Sequence, residues 1–152
     1  MQYLEKRMGL ETNFDIIHRV IQIGDADACM YLIDGFCKDE LMQKILQYLM
    51  NLKEDFPKNA QEMSRMAIPY VEVELDDTWE KILGALLSGV FVLLVDGYEK
   101  AVLIDARTYP ARGVEEPDKD KVLRGSKDGF VETVVVNTAL IRRRIRSTDL
   151  HM

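Results

Sequence analysis

The sequence predicts an α/β fold: a mixed sheet of about five strands with helices packed on it, ending in a long Arg-rich helix. Three observations carry this. Val71, Val73 and Leu75 alternate with Glu72, Glu74 and Asp76, the period of a half-buried strand. Leu41, Met42, Ile45, Leu46 and Leu49 repeat with the period of an amphipathic helix, as do Trp79, Ile82, Leu83, Leu86 and Leu87. Val90 to Val95 is apolar at every position, as in a central strand covered on both faces.

Along the chain, Tyr3 to Met8 reads as a short helix stopped by Gly9. Ile16 to Ile23 and Ala28 to Ile33 flank the turn signal Gly24-Asp25-Ala26-Asp27 and read as a hairpin. Lys38 to Leu52 is a helix with Asp39 as its N-cap, and Asn59 to Ala67 suggests a second, shorter one. The strand at Pro69 to Leu75 follows. Asp77 or Thr78 then caps a helix that ends at Gly89, where a left-handed residue is wanted. Asp96-Gly97 turns the chain, and Ala101 to Ala106 returns as a strand. Residues 107–129 read as an irregular segment, longer than the roughly 12–15 residues of an ordinary loop. Thr133 to Val136 favours a strand by propensity, but Phe130, Val134, Thr138, Ile141 and Ile145 fall at helical spacing. A run from Phe130 to Arg146 is long for a strand, so it is assigned to a helix. Leu32-Ile33-Asp34-Gly35-Phe36 is echoed by Leu94-Val95-Asp96-Gly97-Tyr98. That echo fits two ordinary strand-ending turns or two related halves.

The 152 residues suit one domain, or two small lobes sharing a linker. A net charge of −6, from 26 acidic and 20 basic residues, repels phosphate backbones and argues against nucleic acid as a partner. Cys29 and Cys37 are too few for a disulfide framework and read as small buried hydrophobes. The N-terminus lacks an apolar signal core, and the longest apolar run falls far short of the ~20 residues that span a bilayer. The chain itself therefore reads as soluble, with any membrane anchor lying outside it.

Catalytic chemistry is poorly supplied. His18 and His151 are the two histidines, and no paired metal motif accompanies them, so neither a metal nor a cofactor is expected. No serine sits in a nucleophile elbow, and no phosphate-binding glycine loop occurs. Gly125, Ser126 and Lys127, before the last helix, form a weak anion-binding candidate. The charges are more informative. Arg107, Arg112 and Arg124 surround Glu115, Glu116 and Asp118, and Arg142, Arg143, Arg144 and Arg146 close the last helix. These arginines can complement the helix dipole, clamp the acidic segment in bidentate pairs, or face a partner subunit or anionic lipid. Successive helical residues step by about 100°, so three adjacent arginines cannot share one partner.

Three blocks carry a family resemblance: Tyr109-Pro110-Ala111-Arg112-Gly113-Val114-Glu115-Glu116-Pro117; then Arg124-Gly125 with Asp128-Gly129-Phe130-Val131-Glu132-Thr133; then Asn137 through Arg146. Together with the two Asp-Gly turns, they resemble the GerA family of spore germination proteins over almost the whole chain. Tyr3 to Gly9 and Phe130 to Thr133 look more like a sporulation paralogue of the germinant-receptor A subunits. The resemblance implies a soluble N-terminal α/β subdomain of a larger membrane protein, spanning residues 1–152 here, with the membrane region absent from this chain. It implies the spore inner membrane for the full-length protein, with this domain on the spore-core (cytosolic) side. Implied partners are other subunits of an ion-releasing germination complex, with homo-oligomers possible and membrane contact through segments outside this chain. It implies no enzyme activity. Arg112, Glu115, Glu116, Arg124, Arg142, Arg143, Arg144 and Arg146 are the candidate interaction residues for assembly or signal transmission. The alternative is a nutrient-sensing domain resembling half of a solute-binding protein.

Overall fold

The computed structural model describes residues 2–52, 56–66, 71–109 and 129–152. Ten elements follow in order: α1 (Gln2–Met8), β1 (Ile16–Ile23), β2 (Ala26–Ile33), α2 (Asp39–Met50), α3 (Ala60–Met66), β3 (Val73–Asp76), α4 (Trp79–Leu87), β4 (Phe91–Val95), β5 (Ala101–Ile104) and α5 (Val134–Arg144). The strands form one five-stranded sheet in the order β1-β2-β4-β5-β3.

Every pairing in this sheet is antiparallel, which corrects the mixed sheet that the sequence predicts. The unit β3–α4–β4 has the form that makes parallel neighbours. Here β5 inserts between its strands, so β3 and β4 run the same way without touching. Two hairpins, β1–β2 and β4–β5, supply the rest.

The sheet separates two cores. On one face, Cys29, Tyr31, Ile33, Val92 and Leu103 pack against Leu4 and Met8 of α1 and Ile82, Leu83, Leu86 and Leu87 of α4. On the other, Met30, Leu32, Phe91, Leu93, Val102 and Ile104 pack against Ile45 and Leu49 of α2 and Ala60 and Met63 of α3. The central strands alternate between two buried faces, which explains the unbroken apolar run in β4. Burying each large aliphatic or aromatic side chain contributes about 1.5–3 kcal/mol. Cys29 lies in the first core and Cys37 beside the second. Burial pushes both thiols up, Cys37 to about 11, so they behave as hydrophobes rather than nucleophiles.

Helix ends differ in detail from the sequence reading. Asp39 is the first residue of α2 rather than its cap; Lys38 holds the cap position and makes no side-chain cap bond. Asn59 caps α3, accepting the Glu62 N–H at 2.9 Å, while Glu62 reaches back to the Lys58 N–H at 2.9 Å. Thr78 holds the cap position of α4 and makes no side-chain cap bond; its own N–H donates to Asp76 Oδ1 at 2.8 Å. At the other end of α4, Gly89 N–H donates to Leu86 and Val90 N–H to Ala85, a complete Schellman motif with Gly89 at φ 93°.

Asp76 also accepts a hydrogen bond from Lys81 Nζ at 2.8 Å. The Lys81 ammonium, followed by the Thr78 N–H, holds the Asp76 carboxyl down at about 2. A depressed carboxyl stabilises the fold above the ordinary value near 4, and that stability drains away as pH falls toward about 2. Asp76→Asn is expected to flatten the pH dependence of the unfolding midpoint between those limits. An unchanged acid limb in urea titrations would contradict this.

The two Asp-Gly echoes fold alike. Phe36 N–H closes on Ile33 at 3.2 Å and Tyr98 N–H on Val95 at 3.1 Å, with Gly35 and Gly97 at φ 79° and 81°. In each case the aspartate N–H, Asp34 or Asp96, donates at 2.8 Å to an aspartate carbonyl at the neighbouring strand's start, Asp15 or Asp27.

Helix α5 has 11 residues, shorter than the span from Phe130 to Arg146 read from the sequence. Asn137 stops it from growing backward: its side-chain amide accepts the Val131 N–H and donates to the Val131 carbonyl, folding the chain across the helix start. Ile145 leaves helical geometry at φ −107°, ψ 87°. The stripe Phe130–Val134–Ile145 faces solvent, whereas Ala139, Leu140 and Arg142 are buried.

Candidate functional site

Helix α5 is seated on the Asp34-Gly35 turn. A Cβ on Gly35 would lie 3.1 Å from Val135 and 3.2 Å from Ala139, so the missing side chain lets the helix approach. Val135 and Ala139 continue at helical spacing to Arg142, which is driven into the interior at 0% exposure.

All five N–H donors of Arg142 are used. Nε donates to Asp15 Oδ2 at 2.7 Å and Nη2 to Asp15 Oδ1 at 2.9 Å, a fork-on-fork pair. Nη2 also reaches Asn13 Oδ1 at 3.4 Å. Nη1 donates to the carbonyls of Ser147 at 3.2 Å and Leu150 at 3.1 Å. Asp15 and Asn13 are themselves buried, at 1% and 3% exposure.

Asn13 widens the cluster. Its Nδ2 donates to the Met8 carbonyl at the end of α1 at 2.7 Å, and its Oδ1 accepts the Met152 N–H at 2.8 Å. Phe14 N–H donates to the Met152 carbonyl at 3.2 Å, and Thr12 Oγ1 lies 2.9 Å from His151 Nδ1. One buried guanidinium thus joins α1, the lead into β1, α5 and the segment Ser147–Met152.

The neighbouring arginines behave differently. Arg143 is exposed, its guanidinium carbon 4.4 Å from the centroid of the Tyr109 ring. Tyr109 meets Phe36 edge-on at 5.2 Å and donates to the Ser88 carbonyl at 2.7 Å. Arg144 is exposed and lines a surface depression of about 420 Å³ with Phe130, Ile141 and Ile145. Arg146 Nε donates to the Arg143 carbonyl at 3.3 Å. Arg107 clamps Asp105, and lowers the Asp105 carboxyl by that hydrogen bond.

The sequence-predicted residues therefore divide. Arg142 is an interior tie, not a contact-surface residue. Arg143, Arg144 and Arg146 remain at the surface around the end of α5. Arg112, Glu115, Glu116, Arg124, Gly125, Ser126 and Lys127 lie outside the described residues. Asp15 and Asn13 are not singled out by the sequence reading. A signal existed in the spacing of Val135, Ala139 and Arg142, which places one arginine on the apolar face and demands a buried acid.

Elsewhere, His18 is exposed on β1, stacked on Tyr31 at 6.2 Å. A groove of about 860 Å³ runs between β1, β2 and α2, with Arg19, Asp34, Lys38 and Asp39 around an apolar floor. Among the described residues, no group of three or more His, Cys, Asp or Glu could hold a metal ion. No described helix is long and apolar enough to cross a membrane.

The Bacillus/Clostridium GerA spore germination protein family model matches residues 2–152. The chain is 37% identical over 154 residues to Stage V sporulation protein AF of Bacillus subtilis (strain 168), covering 99% of this chain and 31% of that protein. It is 30% identical over 142 residues to the same organism's Uncharacterized membrane protein YfkQ, covering 91% of this chain and 27% of that one. The chain thus spans less than a third of the length of these relatives. In fold it matches the N-terminal domain of the A subunit of the Bacillus megaterium spore germinant receptor GerK3. That match has a TM-score of 0.71 at 24% identity, covering 99% of this chain and 55% of that one. The chain belongs to the GerA family of spore germination proteins.

Proposed function

We propose that this chain is a soluble, non-enzymatic N-terminal domain of a spore inner-membrane germination protein, facing the spore core. It works in assembly or signal transmission of a GerA-type germination complex, and its partners are other subunits of that complex. The supporting observation is the Arg142 cluster, which fixes Ser147–Met152 to the body of the fold through two hydrogen bonds from the buried guanidinium and one from the Met152 N–H to Asn13. A displacement delivered to that segment is carried into β1 and α1 rather than absorbed by a loose tail. Around this tie, Arg143, Arg144 and Arg146 leave positive charge at the surface, suited to an acidic partner surface. Arg112, Glu115, Glu116 and Arg124 belong to the same proposed contact.

The test is Arg143→Glu with Arg144→Glu in the full-length protein, in spores. Both side chains are exposed, and the contact of Arg143 with Tyr109 contributes only about 0.5–1 kcal/mol at such a site. The variant is expected to fold and reach the membrane, yet to lose co-purifying complex subunits and germinate slowly. Normal assembly and germination of the folded variant would refute the contact.

A further inference from the structure

The two edges of the sheet are built differently. Strand β3 is four residues long, follows Glu72, exposes Glu74, and ends at Asp76 held by Lys81. Short length and charge are the usual means by which an edge is kept from pairing with another chain. Strand β1 at the opposite edge is twice as long and carries less charge. It runs eight residues, Ile16–Ile23, with one partner per residue and hence no bulge. It contains no proline and no acid, and Arg19 is its one fixed charge. Val20, at its centre, is 67% exposed.

The hydrogen bond from Asp34 N–H to the Asp15 carbonyl sets the phase of the β1–β2 ladder. Asp15, Ile17, Arg19, Ile21 and Ile23 turn their backbone groups toward β2. Ile16, His18, Val20 and Gln22 turn theirs outward.

We infer that β1 pairs with the β1 strand of a second copy of this chain, antiparallel, about a two-fold axis through Val20. The outward groups then meet in phase: Val20 opposite Val20, and His18 opposite Gln22 in both directions. The alternate positions place Arg19 opposite Ile21 and Ile17 opposite Ile23. No like charges face each other, and the aliphatic stem of Arg19 covers Ile21. A register centred on Arg19 would set two guanidinium groups against each other. The sequence of β1 is therefore self-complementary in the Val20 register, which is what an isologous interface requires. A strand-to-strand contact is small beside the roughly 1,200 Å² of a stable interface, so the dimer is weak and reversible. This inference rests on the sheet edge and stands independently of any germination role.

Sedimentation equilibrium on the 152-residue chain, from roughly 10 μM to 1 mM, tests it. A reversible monomer–dimer equilibrium is expected. Val20→Pro deletes only an outward N–H and leaves the bonds to β2, so it should weaken the dimer by about tenfold or more with unchanged far-UV circular dichroism. Val20→Cys sits on the axis and should cross-link to itself under mild oxidation, whereas Gln22→Cys, facing His18, should not. Cys29 is buried and Cys37 half-buried, so the cross-link reports the introduced thiol. Monomer throughout the range, a dimer indifferent to Val20→Pro, or equal cross-linking at positions 20 and 22 would overturn the inference. A dimer with either of the last two behaviours uses another surface.

Discussion

Arg142→Met is expected to lower folding stability by about 3–5 kcal/mol in urea unfolding. Methionine fills much of the volume, so the loss comes from Asp15, left 1% exposed with no cation. The carbonyls of Ser147 and Leu150 also lose their donors. Arg142→Lys separates charge from geometry. Lysine restores a cation but offers three donors from one atom, where the site uses five from a planar fork. It should recover part of the loss. Asp15→Leu combined with Arg142→Met should be less damaging than the sum of the two single changes, because the pair is then removed together. A loss below about 1 kcal/mol for Arg142→Met would mean that the cluster does not hold the fold together.

Gly89→Ala is expected to cost about 2–5 kcal/mol, in contrast to Gly84→Ala a turn earlier. Two penalties coincide at Gly89. Its φ of 93° is a conformation that side chains resist, worth roughly 1–2 kcal/mol. The added Cβ would also meet the Phe36 ring, with atoms near 3 Å or closer, an overpacking cost of roughly 1–3 kcal/mol. Phe36 is fully buried and supports Tyr109, so displacing it disturbs the seat of Arg143 as well. Gly84 lies inside α4, exposed, with nothing within 4 Å of an added Cβ. Alanine there should stabilise by about 0.5–1 kcal/mol. Similar midpoints for the two variants would show that Phe36 yields readily.

Strand β3 and helices α2 and α4 are legible in the sequence because each has a local periodic signal, and β1, β2 and β4 because each is an apolar run bounded by turn residues. The pairing of β5 with β3 is not. Nothing within β3 says that it bypasses β4 for the far edge, so a parallel neighbour is the natural reading of β3–α4–β4. The limits of α5 are obscured for a different reason. Phe130, Val134, Thr138, Ile141 and Ile145 keep helical spacing, but the Asn137 bracket on Val131 delays the start of the helix, and Phe130, Val134 and Ile145 face solvent. Arg142 stands between legible and hidden. The step of a helix separates it from Arg143 and Arg144, but its acid lies in a segment with no periodic pattern of its own.

The bond between Arg142 and Asp15 joins positions 127 apart in sequence. Until residue 142 has been synthesised, Asp15 has no cation to accompany it into the interior and must stay hydrated. Closing so long a loop costs entropy that only a largely formed sheet can offset. The tie therefore adds little to the search for the native state. It acts afterward, slowing the escape from it.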